Sequence, residues 1–209
     1  MLIFLSIQFI NFQRTDILLS QPIPLNGFPL VVSPNIDCSS PDTSPLVCDF
    51  NNDGFKEILI TNGAYTNSVR VYLISNAGNI LPGWPKAFGG NTRIHTAAGD
   101  INNDGLPDIV IKTENILTVF DYNGNTLKGF PVAFSGTDWR SVKLALYDLD
   151  NNGDLEIITN RDNVIGVFEH DGTMRQGWPF TITAGNGQYL FHIPNFSVGD
   201  LNRDSIPEI

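Results

Sequence analysis

The ten residues DFNNDGFKEI at positions 49–58 decide how this chain folds, because their pattern occurs four times. The other copies read DINNDGLPDI at 100–109, DLDNNGDLEI at 148–157 and DLNRDSIPEI at 200–209. Their starts are separated by 51, 48 and 52 residues. A fixed period of this length is typical of stacked structural repeats. We therefore interpret the chain as an array of similar units.

A second motif, Gly-(Phe/Trp)-Pro, recurs with about the same period as the first. It occurs at Gly27–Pro29, Gly83–Pro85, Gly129–Pro131 and Gly177–Pro179. Two independent landmarks with one period strengthen the repeat interpretation. We expect the aromatic residue of each copy to pack between units rather than to bind a ligand. These residues are Phe28, Trp84, Phe130 and Trp178.

Each unit is predicted to contain four short strands. An apolar stretch such as Leu46–Cys48 precedes the acidic loop, and a β-branched run such as Ile58–Thr61 follows it. That run is apolar on both faces, which predicts an inner strand. A third strand such as Val69–Tyr72 leads through turns such as Asn123-Gly124 to a fourth strand that ends in the Gly-(Phe/Trp)-Pro motif. The sequence thus predicts an all-β chain, a β-propeller of four-stranded antiparallel blades.

The propeller is predicted to be incomplete, with three whole blades and partial blades at both ends. Residues 25–209 form the repeats, and residues 1–24 form a signal segment or an N-terminal strand. Two arrangements remain open. In the favoured one the chain is part of a longer propeller, because the sequence stops at Ile209, in the middle of a predicted inner strand. In the other, N-terminal strands complete the blade begun by residues 193–209 and close a four-bladed ring.

The beginning of the chain and the two cysteines each leave two interpretations. Residues 1–10 are apolar, as in the core of a secretory signal, but no Lys or Arg precedes them. An ordinary strand is the alternative. Cys38 and Cys48 are either joined as a disulfide in an oxidising compartment or present as two unpaired thiols. They form no C-x-x-C pair, which argues against zinc.

The acidic loops are predicted to bind Ca²⁺, with three to four ions in the chain. Positions 1, 3 and 5 of each loop supply side-chain oxygens, position 6 allows a sharp turn, position 7 offers its backbone carbonyl and position 9 adds a carboxylate. The predicted ligands are Asp49, Asn51, Asp53, Phe55 and Glu57; Asp100, Asn102, Asp104, Leu106 and Asp108; Asp148, Asp150, Asn152, Asp154 and Glu156; and Asp200, Asn202, Asp204, Ile206 and Glu208. The fourth loop departs from the pattern, since Ser205 replaces the glycine.

Two other interpretations of the loops fit less well. An EF-hand needs a bidentate Glu at position 12, but that position is Ile60, Ile111 or Thr159. Polar Asx-turns without metal would also join strands. Against this, 13 of the 22 acidic residues fall in the four loops. Crowded carboxylates repel one another unless a cation compensates them.

Composition excludes several classes of protein. A formal net charge of −10 argues against nucleic-acid binding, because phosphate contacts need a basic face. The 42% apolar share argues against disorder. No run of about 18 apolar residues occurs, so the chain is not predicted to span a membrane.

The repeated pattern resembles the FG-GAP or VCBS repeat, the calcium-loop blade of integrin α-subunit heads and of many secreted bacterial proteins. The resemblance covers most of the chain from about Gly27 and implies calcium at positions 1, 3, 5, 7 and 9. The chain carries Gly-(Phe/Trp)-Pro where the family has a Gly-Ala-Pro element, and it looks closer to the bacterial secreted form.

The expected function is that of a non-catalytic, secreted or cell-surface module for adhesion. It would bind an extracellular protein or carbohydrate, with calcium structural in each blade. Weak calcium sites fill at extracellular rather than cytosolic concentrations. The alternatives are the propeller part of a lyase-like, polysaccharide-degrading enzyme and an architectural spacer beside further blades or fused domains.

The sequence shows none of the common catalytic motifs. Residues outside the repeat pattern are the candidates for a catalytic or ligand-binding role, and several of them are expected at one end of the propeller. They are Arg93, His95, Trp139, Arg140, Lys143, Tyr189 and His192.

Overall fold

The computed structural model describes residues 45–61, 68–89, 93–134, 142–183, 196–204 and 206–209. Within these ranges every regular element is a β-strand, which confirms the all-β prediction. No helix in this part of the chain is long and apolar enough to cross a membrane. Several predicted features lie outside the described residues: the segment 1–24, Cys38, Ser205 and the first Gly-(Phe/Trp)-Pro motif at Gly27–Pro29.

The described strands form three four-stranded antiparallel sheets, each built from strands consecutive in the chain. The first sheet contains β1 (Leu46–Cys48), β2 (Glu57–Thr61), β3 (Ser68–Ile74) and β4 (Lys86–Gly89); the second contains β5 (His95–Gly99), β6 (Asp108–Lys112), β7 (Ile116–Phe120) and β8 (Val132–Ala133); the third contains β9 (Leu144–Tyr147), β10 (Glu156–Arg161), β11 (Val164–Phe168) and β12 (Phe180–Thr181). Three successive blades of an incomplete propeller result, as predicted.

The blades are held together by the two apolar faces of their inner strands. Successive residues of a strand point to opposite faces of its sheet. Ile109 and Ile111 of β6 therefore pack with the core of the first blade, whereas Val110 packs with Ile157 of the third. Each such side chain contributes about 1.5–3 kcal/mol when fully buried. The uninterrupted β-branched runs are thus explained by sheets that are covered on both sides.

The fourth strand lies on the other side of the Gly-(Phe/Trp)-Pro motif from the predicted position. The strands β4, β8 and β12 begin after the proline instead of ending in the motif. Before the motif the chain makes only an isolated bridge, such as Ile74↔Ile80, and then a second turn in which Trp84 N–H donates to the Leu81 carbonyl. Proline has no N–H to donate to a ladder, so the strand resumes beyond it.

The second sheet contains one buried charge that its strand pattern did not predict. The Lys112 side chain is fully buried at the end of β6, and burial lowers its pKa to about 8. Its ammonium donates to the carbonyls of Thr113 and Phe134, the latter at 3.0 Å. Lys112 therefore satisfies backbone acceptors at the blade end opposite the acidic loops.

Residues 196–209 begin a fourth blade against the third. Gly199 and Glu208 form an antiparallel bridge, as Gly99 and Asp108 do in the second blade. Phe196, Val198 and Ile209 pack against the core of the third blade. The predicted partial blade at this end is therefore present.

Candidate metal centre

Each acidic loop joins the first strand of a blade to its second strand, so all four loops occupy equivalent places. Position 1 organises the loop. The Asp49 carboxylate accepts the N–H groups of Asp53 at 3.1 Å and Gly54 at 2.9 Å. Asp100 and Asp148 accept the corresponding N–H groups of their own loops at 2.8–3.1 Å. The backbone is thereby wrapped around one carboxylate.

Positions 3 and 5 continue this inward arrangement. Asn51 Oδ1 accepts the Asp53 N–H at 3.0 Å, and Asp53 Oδ1 accepts the Phe55 N–H at 2.8 Å. The second loop repeats both bonds with Asn102, Asp104 and the Leu106 N–H. In the third loop Asn152 Oδ1 accepts the Asp154 N–H. In the fourth loop Asn202 Oδ1 accepts the Asp204 N–H, and Asp204 Oδ1 accepts the Ile206 N–H.

The loop backbone is left-handed at two positions, of which the sequence pattern identified one. Gly54, Gly105 and Gly153 at position 6 have φ between +89° and +98°, as the predicted sharp turn requires. Position 4 is also left-handed, with φ of +55° to +58° at Asn52, Asn103 and Asn151 and +68° at Arg203. Asparagine tolerates this region better than most residues. Its recurrence at position 4 therefore indicates a left-handed residue there, which the sequence analysis did not predict.

Position 9 supplies a buried carboxylate that ties the loop to the second strand. Glu57, Asp108 and Glu156 are at most 3% exposed. Each accepts the N–H of position 2: Phe50 at 2.9 Å, Ile101 at 3.1 Å and Leu149 at 2.6 Å respectively. One oxygen of each carboxylate is thus committed to the backbone, and the other remains for a second partner.

Burial makes these carboxylates hard to ionise in the metal-free chain. It raises the pKa of Asp108 and of Glu156 to about 7, and it raises the pKa of Glu57 as well. The other loop acids add to the effect, since Asp104 and Asp100 disfavour a further negative charge on Asp108. A bound cation would reverse this balance.

The third loop has the tightest cluster of carboxylates. One oxygen each of Asp148, Asp150 and Glu156 lies within 4.8 Å of the others, an arrangement of three acids that no other described loop reaches. Asp150 replaces the asparagine found at position 3 of the other loops. Glu156 Oε1 is buried and accepts no hydrogen bond. A buried carboxylate clustered with two further carboxylates fits a hard cation such as Ca²⁺.

The third loop is also contacted by the cationic side chain of Arg175, which follows β11 and which sequence reasoning missed. Arg175 Nη1 lies 3.2 Å from Asp150 Oδ2, 3.3 Å from Glu169 Oε1 and 3.6 Å from Glu156 Oε1. The equivalent residues of the first two blades are Leu81 and Leu127, two positions before the motif glycine. The presence of arginine where the other two blades have leucine could have identified this residue from the sequence. His170 adds a contact with Asp154, 2.9 Å from Nδ1 to Oδ2.

The fourth loop is more open than the others. Glu208 accepts the Leu201 N–H at 2.8 Å, which is the same position 9 contact. Its other oxygen accepts from the Asn202 amide at 2.9 Å, and Leu201 is 80% exposed. Asp200 accepts the N–H groups of Arg203 and Asp204 at 2.5 and 3.2 Å. The donor set is present, but less of the fold surrounds it.

The three non-repeating candidates among the described residues lie at the opposite end of the sheets from the acidic loops. His95 starts β5 and pairs with Lys112, and Lys143 lies just before β9, where its N–H donates to Asn160 Oδ1 at 2.7 Å. Arg93 is half-buried two residues before β5. Trp139, Arg140, Tyr189 and His192 lie outside the described residues. Cys48 is a half-buried free thiol.

In the absence of divalent ions, we expect the stability of the chain to fall as the pH rises from about 4 to about 8. The folded pKa of Asp108 and Glu156 is about 7, above the ordinary values of 3.8 and 4.5. Their contribution is therefore fully present below about pH 4 and is lost as the pH passes through about 7. Thermal melts in buffers freed of divalent ions measure this trend.

Two controls accompany the pH series. Asp108→Asn should reduce the slope, because this amide does not titrate. Saturating calcium should remove most of the slope, since the cation favours the ionised carboxylates. A melting temperature that rises from pH 5 to pH 8 without metal would contradict the expectation.

The comparisons with known proteins agree with this arrangement of loops. The model of the FG-GAP-like repeat matches residues 49–111 and 100–159, which together cover more than half of the chain. No curated protein sequence matches.

Among solved structures, the chain is similar to the biofilm matrix protein Bap1 of V. cholerae, with a TM-score of 0.53 and 22% identity. That likeness covers 79% of this chain and 27% of Bap1, so the chain spans about a quarter of that protein. An identity this low supports the fold alone. The repeated acidic loops and the matching family model together show that this chain belongs to the family of FG-GAP-like repeat proteins.

Proposed function

We propose that this chain is a calcium-stabilised, non-catalytic repeat module of a secreted or cell-surface protein. The observation that carries the proposal is the buried Glu156 Oε1, which accepts no hydrogen bond and belongs to a carboxylate clustered with those of Asp148 and Asp150. Arg175 Nη1, 3.6 Å away, is too distant to donate a hydrogen bond to this oxygen, so its burial still costs free energy. A calcium ion would supply a positive charge and a partner for hard oxygen ligands.

Different positions of each loop would hold the ion in different ways. Positions 1, 3 and 5 present side-chain oxygens from a loop already closed by its own N–H groups. Position 9 fixes the loop to the buried second strand. The ion would thus connect the loop to the blade core. Three ions would serve the complete blades, and the fourth loop would take another.

The proposed location follows from the expected affinity. Loops closed by side chains of a single hairpin are comparable to extracellular calcium modules, with Kd on the order of 10⁻⁴–10⁻³ M. Such sites are occupied outside the cell and empty in the cytosol. The description of Bap1 as a biofilm matrix protein is in line with an adhesive role in the extracellular matrix.

The proposed ligand class is an extracellular protein or carbohydrate, and adsorption experiments test it. We would measure retention of the chain on an immobilised acidic polysaccharide and on a neutral one, in calcium and in chelator. Retention that needs calcium and releases no sugar fragments supports a binding module. Release of fragments in calcium would instead identify an enzyme and overturn the non-catalytic part of the proposal.

Replacing Arg175 with leucine, as in the other two blades, should tighten calcium binding to the third loop. The guanidinium lies 3.6 Å from Glu156 Oε1 and 3.2 Å from Asp150 Oδ2, so it opposes a second cation there. After discounting for solvent screening, we expect a gain of about 1 kcal/mol, or roughly fivefold in Kd. Isothermal titration with calcium measures the change.

Lys128→Leu is the matched control, because Lys128 is an exposed residue beside Leu127 in the second blade. It removes the same charge without touching an acidic loop and should leave the affinities unchanged. Asp148→Asn in the Arg175→Leu background should abolish the gain, which assigns it to the third loop. An unchanged Kd in Arg175→Leu would show that the arginine does not oppose the ion.

A further inference from the structure

Neighbouring acidic loops touch one another through the residue at position 4. In the first loop Asn52 Nδ2 donates to the carbonyl of Gly105 in the second loop, at 2.7 Å. In the second loop Asn103 lies against Gly153 of the third loop, where an added Cβ would lie 2.8 Å from Asn103 Nδ2. Position 4 of one loop therefore meets position 6 of the next, and in the first pair of loops a hydrogen bond joins them.

The bond from Asn52 ends on a peptide unit that also contacts a predicted calcium ligand of the second loop. The Gly105 carbonyl and the Leu106 N–H belong to the same peptide bond. While the carbonyl accepts from Asn52, the N–H donates to Asp104 Oδ1 at 2.9 Å. Hydrogen bonds in such a chain polarise one another. The position of the Asp104 carboxylate and the position of the Asn52 side chain are thus connected through one rigid peptide.

Asn52 is also central to its own loop. It lies between Asn51 and Asp53, the ligands predicted at positions 3 and 5, and the Asp53 N–H donates to Asn51 Oδ1 at 3.0 Å. Its left-handed backbone, with φ of +55°, turns the chain between those two residues. Among the described residues, the side chain of Asn52 bonds to the second loop and not to its own. A shift of Asn52 would therefore move the ligand oxygens on both sides of it.

A second hydrogen bond attaches the first loop to the second blade. Asn51 Nδ2 donates to Tyr122 Oη at 3.3 Å and to Asp53 Oδ2 at 3.0 Å. Tyr122 follows β7, and its carbonyl accepts from Trp84 Nε1 at 3.0 Å. Asn51 and Asn52 are consecutive in the chain and both bond to the second blade. The geometry of the first loop is therefore set in part by the second blade.

We propose that the hydrogen bond between Asn52 and Gly105 couples calcium binding in the first and second loops, so that an ion in either loop favours an ion in the other. The inference rests on the proposed function, because it takes both loops to bind calcium. An ion that orders one loop would also fix one end of this bond, so the next ion would have less of the chain to order. By linkage, each ion raises the affinity for the other by the same factor.

Charge repulsion between the two ions acts in the opposite direction, but it does not depend on Asn52. Salt at physiological concentration screens charges that lie more than about 8 Å apart. The asparagine side chain is neutral, so the remaining repulsion is the same with and without it. A double-mutant cycle therefore isolates the coupling that Asn52 carries. Because the bond is neutral and exposed, we expect that coupling to be about fivefold in Kd.

Calcium titration followed by NMR measures each loop separately. In a chain labelled with ¹⁵N-glycine, the amides of Gly54 and Gly105 report on the first and second loops, because each donates to the position 1 carboxylate of its own loop. Calcium chloride is titrated into the unmodified chain, Asn52→Gly, Asp100→Asn and the double variant. Asp100→Asn disables the second loop. Glycine accepts the left-handed backbone of position 4, so Asn52→Gly removes the side chain without adding strain.

The weakening of the first loop that follows from disabling the second should be about fivefold larger in the unmodified chain than in Asn52→Gly. The reciprocal cycle disables the first loop with Asp49→Asn, uses the Gly105 amide, and should give the same factor. Asn151→Gly is the matched control, since it makes the same change at position 4 of the third loop, where φ is +58°. It should leave the factor unchanged.

The results that would overturn the coupling differ from those that would overturn calcium binding. If the Gly54 and Gly105 amides both titrate and the factor is one or less in the two cycles, the coupling is wrong and the proposed function stands. If at most one of these amides responds to millimolar calcium, there is no pair of sites to couple. If the Gly153 amide of the third loop also fails to respond, the proposed function is wrong as well.

Discussion

Removing calcium should lower the melting temperature of this chain by about 10 °C. Three sites at roughly ten times their Kd would each stabilise the folded state by about 1.4 kcal/mol. For a chain of this size, each kcal/mol shifts the melting temperature by about 2–4 °C. The physical source is the charge of the loops, where Glu57, Asp108 and Glu156 are buried beside further acids. Thermal melts in millimolar calcium and in EDTA measure the shift.

Variants of position 1 separate specific binding from a general salt effect. Asp49→Asn, Asp100→Asn and Asp148→Asn combined should remove most of the calcium-dependent shift. Glu114→Gln, at the opposite end of the second blade, is the control with the same kind of change and should keep the full shift. If the melting temperature were the same in calcium and in EDTA, calcium would have no structural role in the blades.

The repeat pattern was sufficient to predict the blades, because each strand is defined by local features that occur several times. Loops rich in Asp, Asn and Gly alternate with β-branched runs, and the two faces of β6 and β10 are apolar as inner strands require. The fourth strand was misplaced because its pairing is brief. β8 and β12 contain two residues each, and the motif proline interrupts the pattern just before them.

Residues that depart from the repeat carried the information that the pattern missed. Arg175 replaces a leucine that packs against the core in the other blades, and its partners come from two different turns. Lys112 closes an apolar run, yet its ammonium turns inward and donates to the carbonyl of Phe134, 22 residues away in the chain. Such contacts depend on tertiary packing, which spacing along a single chain does not specify.

Gly129→Ala should be among the most destabilising single substitutions in the chain. The added Cβ would lie 1.7 Å from the Asp171 carbonyl oxygen, a backbone atom that cannot rotate away. The residue also has φ of +92°, which costs an alanine about 1–2 kcal/mol. Forcing the two blades apart adds about 1–3 kcal/mol. We expect a total loss of about 3–4 kcal/mol, which urea or thermal unfolding would measure.

Gly177→Ala is the matched control for this substitution, since Gly177 holds the same motif position. Its φ of +90° is nearly identical, but no atom of the described residues lies within 4 Å of the added Cβ. The control therefore carries the conformational cost alone, and the difference between the two variants measures how strongly the second blade is locked to the third. Equal losses in both would mean that the Gly129 contact does not hold the blades together, and the close approach of Asp171 would then be relieved by a small rotation between them.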